Sequence, residues 1–169
     1  MLEDKAVYMN ASRKTLVTGG LLLSLWGMGY GLYYALFVEH QTLETIGSAL
    51  ASSFTGASQR KMEAARVNLD SYTLASFDYA RQVDAHSHWI GLGMLLIGLG
   101  IIFNRVSFGE RIRISLALAL FIGSAVFPFG VILQTMDRGP GPRVIASIGA
   151  GLVTAALAVV ALGFMRARE

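Results

Sequence analysis

The chemistry open to this chain is narrowed first by its three histidines, His40, His86 and His88. Imidazole ligates haem iron, copper and zinc, and it titrates close to neutrality. His86 and His88 stand two apart with Asp84 just before them, while His40 follows Glu39. Cysteine is absent, which excludes disulfides, thiolate metal sites, iron–sulfur clusters and cysteine nucleophiles. Histidine, methionine and carboxylate remain as the ligand set. No Walker loop, dinucleotide fingerprint, His-Glu-x-x-His helix or Gly-x-Ser-x-Gly elbow occurs, so the common soluble-enzyme chemistries have no foothold.

The elements that position these residues are apolar. Hydrophobic residues make up 54% of the chain and charged residues 15%, a balance unsuited to a water-facing domain surface. A transmembrane helix takes roughly 20 apolar residues, and the stretches at about 15–38, 86–104, 112–134 and 144–164 qualify. The expected fold is all-α: an integral membrane four-helix bundle, one domain over 1–169, with a helical extramembrane cap at about 39–85. The first span follows Lys5, Arg13 and Lys14, and its apolar run outlasts that of a signal peptide, so it is read as a retained anchor.

Basic residues collect at one set of span ends. Lys5, Arg13 and Lys14 precede the first span, Arg105, Arg111 and Arg113 join the second to the third, and Arg166 and Arg168 follow the fourth. By the positive-inside rule both termini are expected in the cytoplasm of a cell-membrane protein, with 39–85 on the outer side. No Lys/Arg block resembles a nucleic-acid patch.

The outer segment has helical periodicity. Leu43, Ile46, Leu50 and Phe54 form one amphipathic stripe, predicted to stop at Thr55-Gly56, with Ser58 capping the next helix. Met62, Ala65, Leu69, Tyr72, Ser76, Tyr79 and Val83 form a second stripe that continues onto His86 and Ile90. This spacing predicts a helix running unbroken from the outer segment into the second span, with Ser71 as its weakest point.

All three histidines fall at outer span ends, where ionisable residues are costly and mark a functional site by default. Trp89, Leu92, Leu96, Leu99 and Phe103 form a bulky stripe expected to face lipid. At about 100° per residue from it, His86 points sideways or inward and His88 stays near the lipid boundary, so the two rings diverge. His86 is the preferred buried ligand, His88 and His40 are candidate co-ligands, and Asp84 at i, i+4 can hold or join His88. For His88 and His40 the competing expectation is an ordinary interfacial side chain. Pro128 is expected to kink the third span and free a carbonyl near Ser124, while the glycines of the first two spans permit close packing.

The run Tyr-Ala-Arg-Gln-Val-Asp-Ala-His-Ser-His-Trp-Ile-Gly-Leu-Gly, from Tyr79 to Gly93, resembles a segment of small membrane proteins related to subunit I of haem–copper oxidases. The resemblance implies haem b or copper at the outer face, held by His86 or His88, with electron transfer involving a quinone or an external donor. It brings no counterpart of a multi-histidine copper site. The leading expectation is therefore a small haem- or metal-binding redox protein. Its alternative is a cofactor-free accessory subunit, joined to other membrane subunits or to itself through the outer helices and glycine faces. A solute transporter is less favoured, because the mid-span positions lack ionisable residues.

Overall fold

The computed structural model describes residues 9–166, so Lys5 and Arg168 lie outside the described residues. It contains the helices α1 (Ala11–Phe37), α2 (Glu39–Ser58), α3 (Met62–Ile102), α4 (Glu110–Met136) and α5 (Pro140–Met165), with a 3-10 turn at Phe103–Arg105. All but α2 are long and apolar enough to cross a membrane. The chain is an all-α, multi-pass protein of the lipid bilayer.

The helices are held by close backbone approach. Lipid tails are as apolar as leucine, so helices in a bilayer associate through contact rather than escape from water. A Cβ added at Gly20 of α1 would meet the carbonyl oxygen of Gly93 on α3 at 2.5 Å, and one added at Gly27 would meet Trp89 Cβ at 2.9 Å. The α4–α5 pair repeats the device: Cβ atoms at Gly130 and Gly149 would strike the backbones of Ala146 and Phe127. α3 and α4 both pack on α1, whereas α5 lies outside this three-helix core, against α4.

One expectation about the core is overturned. Trp89, Leu96 and Phe103, assigned above to lipid, are 4, 0 and 0% exposed and fill the centre of the molecule. The lipid-facing edge of α3 carries Ser87, Gly91, Met94 and Gly98 instead. Hydrophobicity cannot distinguish core from lipid when both are apolar, and the large rings go where they gain the most contacts. Trp89 Nε1 also donates to the Ala125 carbonyl at 3.3 Å. That carbonyl lies one turn before Pro128, where the proline ring disturbs the helical ladder, and α4 continues through the proline.

The basic end is tied by polar contacts. Glu110 Oε1 accepts from the Ser12 backbone N–H at 3.1 Å, satisfying an orphan donor of the first turn of α1. Glu110 also pairs with Arg113 at 3.2 Å, and Arg13 Nε donates to Gly100 O near the end of α3 at 3.0 Å. Ser107 Oγ holds Gly163 O of α5 at 2.8 Å.

At the other end α2 and α3 form an antiparallel hairpin. α3 is a single helix of 41 residues, continuous through Ser71 as the periodicity predicted. The expected break at Thr55-Gly56 is not there: α2 runs on to Ser58, whose hydroxyl bonds back to Thr55 O at 2.8 Å instead of capping α3. Gly56 is buried because a Cβ there would meet Ala65 N at 3.0 Å. The helix ends through a Schellman pair, Lys61 N–H to Gly56 O at 2.9 Å and Arg60 N–H to Ala57 O at 3.0 Å. Arg60 holds the left-handed conformation, φ 56°, that glycine usually fills.

Two outcomes follow for detergent-solubilised protein unfolded under far-UV circular dichroism. Gly93→Val should lose roughly 1–3 kcal/mol by forcing α1 off α3. Arg60→Gly should gain up to about 1 kcal/mol by relieving the left-handed strain.

Candidate functional site

The polar end of the bundle is organised where α1 stops and α2 begins, alongside the middle of α3. The Tyr30 hydroxyl donates to Gln82 Oε1, tying α1 to α3. Tyr34 is buried with its ring 6.3 Å from that of Tyr79, and the Tyr79 hydroxyl donates to Glu39 Oε1 at 3.0 Å. The Glu39 carboxylate favours the protonated phenol and pushes the Tyr79 pKa above the usual tyrosine value. Arg138, in the α4–α5 turn, reaches both oxygens of Asp78 at 3.2 and 3.0 Å. This belt locks α1, α2, α3 and the α4–α5 turn together.

The three imidazoles share this end but not a site. His86 Nδ1 lies 3.1 Å from Gln82 O, and His88 Nδ1 lies 2.6 Å from Asp84 O. A carbonyl only accepts, so each Nδ1 carries a proton, and in the neutral ring the lone pair falls on Nε2. The half-buried His86 ring lies over the α1 backbone, where a Cβ at Gly31 would meet its Cδ2 at 3.0 Å. His88 turns the other way, edge-on to Phe127 of α4 with centroids 4.8 Å apart. It is exposed beside a shallow recess of about 240 Å³ formed with Ser87, Gly91 and Leu92. His40 is exposed on the first turn of α2.

The divergence of His86 and His88 matches the sequence expectation; the role given to Asp84 does not. Its backbone carbonyl, not its carboxylate, meets His88, and the carboxylate pairs with Arg81 at 3.5 Å. Among the described residues no group of three or more His, Asp or Glu side chains converges as metal ligands would. The donor set therefore does not fit a shared metal centre of His40, His86, His88 and Asp84. It fits a haem only in part: each α3 imidazole can offer one axial nitrogen, while the recess at His88 is open along one side.

The first of the outer helices, which the cofactor-free alternative takes as joining surfaces, divides into an apolar and a polar side. On one side of the hairpin α2 presents Leu43, Ile46, Leu50, Phe54 and Ala57. Ala57 shares a groove of about 460 Å³ with Met62, Arg66 and Leu69 of α3. Leu43, Phe54, Met62 and Leu69 are 47, 70, 67 and 47% exposed. The opposite side of α2 is a polar stripe of Gln41, Thr45, Ser48, Ser52 and Thr55, all exposed. That second stripe was the available signal, because a helix whose polar face is so sharply defined has something specific to hide.

Because the Tyr79 pKa is raised, the folded state holds that proton more tightly than the unfolded chain. Its contribution is present below pH about 10 and is lost as pH rises through the folded pKa. An ultraviolet tyrosinate titration should show a late-ionising component that Tyr79→Phe diminishes.

No family model, curated protein or solved structure matches this chain, so its functional reading rests on its own residues.

Proposed function

We propose that the protein is a membrane-anchored docking subunit, whose bundle holds a rigid two-helix hairpin clear of the bilayer so that its apolar side can bind a protein surface. One observation carries this reading: four large apolar side chains, Leu43, Phe54, Met62 and Leu69, lie exposed on one side of the hairpin, opposite a hydroxyl and amide stripe of α2, while Val67 and Leu74 of α3 are exposed away from that side. Contiguous apolar patches above a few hundred Å² on a water-facing surface mark interaction sites. The clustering of Arg13, Lys14, Arg105, Arg111, Arg113 and Arg166 supports a cytoplasmic basic end in the cell membrane, with the hairpin on the outer side.

Cysteine scanning tests it, because the chain has no cysteine of its own. In native membranes a permeant maleimide should label Phe54→Cys and Leu69→Cys at least about tenfold more slowly than Ser48→Cys, since a bound partner would exclude the reagent. Equal rates at the three positions would refute the docking role.

A second reading, favoured by the Nδ1 contacts that turn Nε2 away from the helix backbone, gives His86 or His88 as the residue that would hold a haem b or a copper ion. Such a group would supply a one-electron couple for exchange with a quinone or an external donor. This chain's part would be to orient each imidazole through the Gln82 and Asp84 carbonyls, with the α1 backbone covering His86 and Phe127 packed edge-on against His88. A stoichiometric Soret band or bound copper in gently purified protein, lost in His86→Ala or His88→Ala, would support it. A folded preparation from haem-replete membranes with neither would remove it.

A further inference from the structure

Building on the docking role, we infer that the surface covering the hairpin is a second copy of this chain, related by a two-fold axis along the membrane normal. Copies inserted in the same sense in one bilayer can share a two-fold only about that direction. The interface is then isologous, each residue meeting structure at its own height in the other copy. The hairpin register suits this. Ser53 Oγ bonds Ala65 O at 3.0 Å and Tyr79 bonds Glu39 at 3.0 Å, which places Leu50 level with Leu69. Turned face to face, α2 of one copy lies on α3 of the other, apolar level against apolar level. Two helices become a four-helix bundle, the smallest arrangement in which both stripes are enclosed.

The same edge continues into the lipid. α3 has no break, so Ser87 and Gly91 lie about five helical turns beyond Leu69 and Thr73 and point the same way. Along this edge Ser87, Gly91, Met94 and Gly98 are all exposed, and a Cβ added at Gly91 or Gly98 would meet nothing within 4 Å. Small residues on an unpartnered membrane edge let a second helix approach closely. Here they extend an apolar face outside the membrane, so one continuous seam runs from Met62 to Gly98. The four exposed hairpin side chains present roughly 450 Å² per copy, so two copies remove roughly 900 Å², and the half-buried neighbours and the membrane edge have to supply the remainder of the ~1,200 Å² at which stable interfaces begin.

Single-cysteine variants in native membranes test the pairing, since one cysteine per chain can link only between chains. Leu69→Cys and Gly91→Cys, treated with a short bis-maleimide, should yield a species of twice the chain mass at least about tenfold more than Ser48→Cys on the opposite face. The double variant Phe54→Glu/Leu69→Glu should run as a monomer by light scattering, with helix content unchanged. Protection of Phe54→Cys and Leu69→Cys without self-linking, or linking only to a different protein, would overturn the second copy and leave the docking role standing. Labelling as fast as Ser48→Cys would overturn both. A dimer that persists in the double glutamate variant would overturn the hairpin seam.

Discussion

The placement of the α2–α3 hairpin and of both α3 imidazoles depends on how closely α1 and α3 approach. Gly20 and Gly93 bring two backbones into contact, and Gly27 and Gly31 let α1 follow the same side of α3 up to His86. Dispersion falls steeply with separation, so a modest gap would forfeit much of the attraction that replaces the hydrophobic effect in lipid. The seam also fixes the rotation of α3 about its own axis. Trp89 is thereby directed to the Ala125 carbonyl, His88 to Phe127, and the outer half of the same helix presents Ala65 to α2.

The parts of this fold legible in the sequence are those where water and lipid compete. The spans are plain because crossing hydrocarbon requires a long apolar run, and the continuity of α3 is plain because one stripe passes from Met62 to Ile90 without changing period. The inward face of the second span was not legible. Trp89, Leu96 and Phe103 look like lipid-facing residues because a core and a lipid tail are equally apolar; of the three, Trp89 takes its place beside Gly27 of α1. The end of α2 was misplaced for a local reason: Gly56 has the composition of a stop but serves as a contact, while the stop itself uses Arg60, a residue with no turn signature.

The candidate site divides in the same way. Angular position alone separated His86 from His88, because i and i+2 side chains on a helix face different directions. It could not reveal that both rings are held by carbonyls one turn back, nor that the Asp84 carboxylate turns to Arg81. The outer helices were legible as a joining surface, but not which side of them stays exposed. A stripe of Leu43, Ile46, Leu50 and Phe54 predicts burial but not against what, and the partner helix covers only the side nearest Ala49 and Gly56.

The uninterrupted α3 gives the molecule a mechanical property. A helix without a proline, bulge or turn between Met62 and Ile102 resists bending, so it moves as a rod. Its outer end is therefore tied to its inner end, where Arg13 Nε donates to Gly100 O and the following loop holds α5 through Ser107. The hairpin tip and the basic face are joined by one stiff shaft, clamped against rotation by the glycine seam.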